Sequence, residues 1–559
     1  MVRRLPIPAW TVGYRRGWLR GDVLAGVTIT AYLIPQVMAY AEVAGLSAVV
    51  GLWASVGALL AYAMLGSSTQ LSVGPESTTA LMTAAAIGGL ATTATHHYAD
   101  LAAALGLVVA GFCALGWIGR LAFVAELLSR PVLVGYMSGV AVLMVVSQLG
   151  KLTGIVVTVD GFWPELAYVI RHVNEVHAPT FALGMTTLAV MLVGSMVAPR
   201  APMALLGMVG AAASVALLDL RERGITVIGS IPAGLPVPAL PHVSLDGVLS
   251  LVPAALGVAF VGYTDNILTG RAFANRHDER IDAKREMLAL GAANLAAGLM
   301  HGFPVSSSAS RTAIGHAVGG RTQLTGLLTA ATTVLAVFTL RPLLGSFPTA
   351  ALGAVVVYAA LRLIDIAEFR RLLGFRLSEF LIALATAVAV VLVGVLPGVL
   401  VAIGLSVLDL LRRVARPHDA IEGFVPDLAG MHDVDDYPGA TVVPGLMVYR
   451  YDSPLFFANT EDFRRRALAA VAGAAEPVRW FLLNAEAVVD IDITAVDALQ
   501  DVHEELSSRG IVFAIARMKQ DLRSDLEGTD LLQRIGEDHL FPTLPTAVEA
   551  FRAWQAGQQ

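Results

Sequence analysis

From about residue 22 to residue 411 the chain is a series of apolar stretches separated by short breaks. A run of about 20 apolar residues crosses a bilayer as a helix, and about fourteen segments approach that length. They lie near 22–44, 48–65, 75–91, 98–118, 131–150, 178–198, 201–218, 248–270, 284–301, 307–319, 322–340, 346–361, 378–394 and 397–411. The segments starting near 75 and 307 are too short or too interrupted for plain spans. Charged residues make up 15% of the chain and mean hydropathy is +0.68, whereas a soluble domain carries about 25% charged residues. The series therefore belongs in lipid.

Arginine and lysine give the series an orientation. With a basic N-terminus (Arg3, Arg4, Arg15, Arg16, Arg20) retained inside, the cytoplasmic breaks hold Arg120, Arg130, Arg200, Arg271, Arg276, Arg280, Lys284, Arg285, Arg321, Arg362, Arg370, Arg371 and Arg376. The outer breaks hold only Lys151, Arg171, Arg221, Arg223 and Arg341. Arg412, Arg413 and Arg416 then put the C-terminal end in the cytoplasm too, in a multi-pass membrane protein. The expected domains are a cytoplasmic segment 1–21, a transmembrane domain 22–413, a linker 414–439 and a soluble domain 440–559. The last reads as α/β, with strand-like runs at 446–451, 478–483 and 511–516 and helical spacing at 460–471, 494–508 and 546–554.

Two breaks share one pattern. Leu71-Ser72-Val73-Gly74-Pro75-Glu76 and Phe303-Pro304-Val305-Ser306 each put an extended, proline-marked stretch before a short apolar helix. These helices are third in each set of seven, and an odd number of spans per half inverts the second half relative to the first. Helix N-termini carry free N–H groups and a positive dipole end, so two of them meeting near the midplane attract an anion. Ser77, Thr78, Ser307, Ser308, Ala309 and Ser310 let backbone approach a ligand closely or add hydroxyls; the alternative is close helix packing. Arg311 either adds positive potential for the anion or clamps a carbonyl or Glu76, and Glu76 itself reads as a helix cap. Gln36, beside Pro35 in the first span, either donates to a ligand or is satisfied within a kink.

Asp265 interrupts the apolar run 251–268. A carboxylate at membrane depth is costly and usually functional. Thr269 is four residues on, hence on the same helix face, and the pair suits a hard cation such as Na⁺. The carboxylate alone can instead carry a proton. The net charge of −6 argues against a nucleic-acid partner, and the single Cys113 gives neither a disulfide framework nor a cysteine metal site. No nucleophile–base set or phosphate loop stands out, so neither an enzyme nor a cofactor is expected.

The segments Ile34-Pro35-Gln36-Val37-Met38-Ala39-Tyr40-Ala41, Gly51-Leu52-Trp53-Ala54-Ser55, Leu65-Gly66-Ser67-Ser68, Leu71 to Ser77, Gly302-Phe303-Pro304-Val305 and Ala309-Ser310-Arg311-Thr312-Ala313 resemble the SulP family, the sulfate-permease and solute-carrier-26 anion transporters. The C-terminal domain resembles the STAS domain found there in that family. The resemblance implies fourteen segments in a 7+7 inverted repeat with two half-helices. It implies a core of spans one to four and eight to eleven, a gate of spans five to seven and twelve to fourteen, elevator-like movement and a homodimer in lipid. By position, Gln36 matches the family's first-helix glutamine, Asp265 its eighth-helix acid, and Ser310-Arg311 its tenth-helix pair. Asp265 and Thr269 also match a sodium-binding pair of cyanobacterial bicarbonate transporters, though those proteins are richer in glycine where this chain has Ser306, Ser307 and Ser308. Thr494 falls where anti-sigma antagonists carry a phosphorylatable serine, and it reads equally as a helix N-cap. The expected function is secondary active transport of a small oxyanion across a bacterial inner membrane, sulfate first, coupled to H⁺ in preference to Na⁺. Sodium-coupled bicarbonate transport, C4-dicarboxylate transport and an anion channel or sensor are the alternatives.

Overall fold

Every apolar segment is helical in the computed structural model, which describes residues 8–11, 14–88, 95–126, 129–159, 161–199, 201–232, 234–274 and 280–558. Arg3, Arg4, Arg200 and Arg276, which contribute to the expected orientation, lie outside the described residues. The helices are α1 (Leu19–Val43), α2 (Ala48–Leu65), α3 (Ser77–Gly88), α4 (Thr95–Ile118), α5 (Arg130–Ser147), α6 (Ala178–Val197) and α7 (Met203–Leu217). The second set is α8 (Leu245–Ala274), α9 (Ala283–Leu299), α10 (Ala309–Val318), α11 (Leu324–Thr339), α12 (Thr349–Leu363), α13 (Leu377–Val393) and α14 (Val395–Ala415). Seven spans among the described residues are long and apolar enough to cross a membrane, and α7, α11 and α13 are shorter apolar helices. Two amphipathic helices, Phe162–Arg171 and Ile366–Phe375, are not expected from the sequence pattern and are too short to span.

The chain divides into two compact units, Met1–Ser406 and Val407–Gln559. In the first unit, α1–α4 and α8–α11 pack on one another, and α5, α6, α7, α12 and α13 form a second packing group. Small residues bring backbones close within each group. A Cβ at Gly51 would overlap the Val37 carbonyl of α1, and one at Gly135 would overlap the Ala383 carbonyl of α13.

Both expected breaks are present, and each yields a two-residue strand. After α2 the chain bends through 67–70 and extends into β1 (Val73–Gly74), which ends at Pro75: proline has no N–H to continue a ladder and holds Gly74 out of the helical region. After α9, His301 turns the chain with φ 55° and Phe303-Pro304 leads to β2 (Ser306–Ser307). β1 and β2 pair antiparallel, with Val73 opposite Ser307 and Gly74 opposite Ser306.

The second unit holds a six-stranded sheet in the order β4-β3-β5-β6-β7-β8. Its strands are β3 (Asp419–Phe424), β4 (Met431–Asp433), β5 (Leu446–Tyr451), β6 (Trp480–Asn484), β7 (Val512–Ala516) and β8 (Leu540–Phe541). β5 to β8 run parallel, while β3 is antiparallel to both β4 and β5. The stretch 414–439, read as a linker, thus supplies two strands of this sheet. Alternation along β5 feeds two cores: Tyr449 and Tyr451 pack with Phe463, Phe481 and Phe513, while Leu446 and Val448 pack with Trp480 and Phe551. Helices α15 (Thr460–Ala472), α16 (Ile493–Ser508), α17 (Gln520–Glu527), α18 (Leu531–Ile535) and α19 (Leu544–Ala556) complete the unit. Thr494 is not the N-cap of α16. Asp492 holds that place, its carboxylate accepting from Ala495 N at 2.9 Å, and Thr494 is exposed in the first turn.

Candidate substrate site

The β1–β2 pair brings the starts of α3 and α10 together. Ser308, extended at φ −119° and ψ 108°, is the N-cap of α10, and its N–H donates to Ser72 O at 2.9 Å. Its hydroxyl lies 3.2 Å from Ser310 Oγ. Ser307 Oγ donates to Asp265 Oδ2 at 3.1 Å, which ties the carboxylate of α8 to β2. Thr269 is buried one turn further along α8. Ala309 and Ser310 are exposed, so the first turn of α10 is open on one side.

Arg311 is fully buried one turn into α10. Its Nη1 stands 3.6 Å from Glu76 Oε2, an ion pair too long for a hydrogen bond. Among the described residues none of its three guanidinium nitrogens has a hydrogen-bond partner, and Glu76 Oε2 has none either. A Cβ at Gly74 would stand 3.4 Å from Arg311 Nη2, so the guanidinium lies along β1. Tyr40 is buried beside Ser77. Glu76, read as a cap, takes the N-cap place of α3 by its backbone: Ala80 N donates to its carbonyl at 2.9 Å. Its side chain turns instead to Arg311 and accepts from Ser77 Oγ at 3.3 Å. Thr78 Oγ1 is turned to Met137 of α5, 4.0 Å from the sulfur.

Other buried side-chain oxygens without hydrogen-bond partners among the described residues include Gln36 Oε1, Ser72 Oγ and Ser306 Oγ. Burying such a group without a partner costs about 1–3 kcal/mol, and the unpartnered guanidinium donors cost more. A planar guanidinium with open donors, beside hydroxyls and a helix N-terminus, has the chemistry of an oxyanion receptor.

The residues that hold these strands are not among those expected from the sequence. Glu286 of α9, fully buried, accepts from Tyr62 Oη, Ser67 N, Ser67 Oγ, Ser68 N and Asn266 Nδ2 at 2.6 to 3.1 Å. Asp22 of α1 likewise accepts from Arg321 N, Thr322 N, Thr322 Oγ1 and Thr325 Oγ1, and fixes the α10–α11 turn. Gln323 Nε2 donates to Ser68 O and Leu71 O, and Thr312 Oγ1 accepts from Ser72 N. The signal was available: each is a polar residue inside or bordering an apolar segment.

Residues 19–386 match the Sulfate permease family, and residues 437–547 match the STAS domain. The chain belongs to the sulfate permease family. It is 55% identical over 558 residues to the "Probable sulfate transporter MT1781" of Mycobacterium tuberculosis, covering 99% of this chain and 100% of that protein. In fold it is similar to the murine SLC26A9 anion transporter in the inward-facing state, with TM-score 0.88 at 21% identity over 98% of this chain and 94% of that one. The transmembrane domain of the cyanobacterial bicarbonate transporter BicA aligns with TM-score 0.62 at 22% identity, over 70% of this chain and 98% of that one. The chain is thus a multi-pass membrane transporter of an anion-transporting family, not an enzyme, with a STAS domain at its C-terminal end.

Proposed function

We propose that this protein is a secondary active transporter that takes up sulfate across the plasma membrane of a bacterium. The observation that carries the reading is Arg311: a fully buried cation, without a hydrogen-bond partner among the described residues, where two half-helices begin. Sulfate offers it oxygens for charge-assisted hydrogen bonds, and Ser308 and Ser310 add hydroxyls at the start of α10. Sulfate is preferred over bicarbonate because the relatives that match over nearly the whole chain carry sulfate in their names.

Coupling falls to Asp265. Its bond from Ser307 links its charge to the strand that feeds the substrate helix. A proton taken up there neutralises the carboxylate and lets it move with a bound anion. The helices α1–α4 and α8–α11 form the moving core and the second packing group forms the gate, in an elevator-type cycle of a homodimer with both termini in the cytoplasm. A sodium-coupled bicarbonate transporter is the second reading, favoured by Asp265 and Thr269 on one face of α8.

Purified protein in liposomes, given labelled sulfate or bicarbonate under imposed Na⁺ or pH gradients, tests this. The proposal expects sulfate accumulation driven by an acidic outside and unaffected by removing Na⁺. Uptake that fails in Na⁺-free buffer at constant pH favours the second reading. Uptake indifferent to both gradients sinks coupled transport.

A further inference from the structure

Among the described residues, the short strand β2 has a strand neighbour on one side only. The residue before it, Val305, is held by a side chain. Asn294 Oδ1 accepts from Val305 N at 2.9 Å, and Asn294 Nδ2 donates to Val305 O at 3.0 Å. The carboxamide thus offers Val305 the acceptor and donor that a neighbouring strand would offer. Nδ2 also donates to Leu290 O, one turn back on α9, at 3.0 Å. Three partners therefore fix the rotation of a side chain that is fully buried.

Immediately after Val305 the chain enters the substrate side of the site. Ser306 carries a buried hydroxyl with no partner among the described residues, Ser307 is bonded to Asp265, and Ser308 caps α10. We propose that Asn294 is a positioning residue for the substrate anion: it sets the depth and rotation of β2, and through it of Ser306, Ser308 and Arg311, without touching the anion. The inference rests on an anion binding at the start of α10. Its ground is the pattern of bonds. A side chain that only joined helices would bond to another helix, whereas Asn294 takes both backbone groups of the residue entering the site.

The test uses the full chain in liposomes with labelled sulfate, or labelled bicarbonate should the wild type refuse sulfate. Asn294→Asp keeps the side chain's volume and the acceptor for Val305 N, but sets an oxygen against the carbonyls of Val305 and Leu290. The KM should rise about tenfold, the factor corresponding to one or two lost hydrogen bonds, and the ratio of sulfate to selenate uptake should change. A residue that merely supports the fold would lower the yield of folded protein and leave KM and that ratio unchanged, which would overturn the proposal. Should Asn294→Asp not fold, Asn294→Ser, too short to reach both groups of Val305, is read in the same way. Failure of both to fold would mark the residue as structural and also overturn it. Ser308→Trp, run alongside, separates this inference from its premise. Normal transport by a folded Ser308→Trp protein means that the site lies elsewhere. A dead Ser308→Trp protein beside Asn294 variants of wild-type KM and selectivity removes the positioning role alone.

Discussion

Arg311 and Glu76 face each other at 3.6 Å without a hydrogen bond, and on the proposed function this incomplete pairing leaves the guanidinium donors open to an anion. A closed salt bridge would leave few donors for a substrate. An arginine with no counter-charge would be hard to bury. The geometry predicts that Arg311→Lys weakens sulfate binding by about ten- to hundredfold, since charge-assisted hydrogen bonds contribute about 1.5–3 kcal/mol each and lysine lacks the planar fork. Isothermal titration of the detergent-purified protein measures it, and wild-type affinity would show that the guanidinium does not hold the anion. Asp265→Asn keeps an oxygen to accept from Ser307, so the strand should stay in place. This variant should exchange labelled for unlabelled sulfate yet lose accumulation driven by an acidic outside. Retained pH-driven accumulation would take the coupling role away from Asp265. At this scale the sequence marked the charged and hydroxyl residues, because a polar group in an apolar run is visible one residue at a time. It did not show that Ser307, and not Thr269, bonds to Asp265, because that partner comes from a segment 42 residues away.

The element that organises the site is α9. Three of its buried residues, Glu286, Leu290 and Asn294, recur at intervals of four and so share one side of the helix. Glu286 fastens the chain entering β1, and Asn294 fastens the chain entering β2. The five donors around Glu286 are all uncharged hydroxyls, amides and backbone N–H groups. Glu286→Gln turns one acceptor oxygen into a donor and leaves at least one buried donor unpaired, which costs about 1–3 kcal/mol. The expected result is a lower midpoint of thermal unfolding with sulfate affinity retained in the protein that remains folded. An unchanged midpoint would mean that the loop is held by other contacts. All fourteen apolar segments were legible, because length and hydropathy suffice for helices of that size. The strands β1 and β2 were visible only as extended breaks, since two residues carry no periodicity. β3 and β4 were hidden within an expected linker, because short edge strands rich in charge read like loop.

At the scale of the molecule, the soluble unit has its own two cores and its own sheet, and among the described residues those cores include none of the proposed substrate residues. Removing the chain after Arg416 should lower expression and dimer yield while leaving the sulfate affinity of the folded remainder within about threefold, well under the tenfold that about 1.4 kcal/mol would produce. A large loss of affinity would bring the soluble unit into the substrate path. The proposed oxyanion site is more local, between the starts of α3 and α10, on Arg311. Electron cryomicroscopy of the full chain in lipid nanodiscs, with and without saturating sulfate, tests it most directly. Added density is predicted within hydrogen-bond distance of the Arg311 guanidinium and the Ser308–Ser310 turn, absent from the sulfate-free map. Sulfate density at another place, with the Arg311 region identical in the two maps, would contradict it.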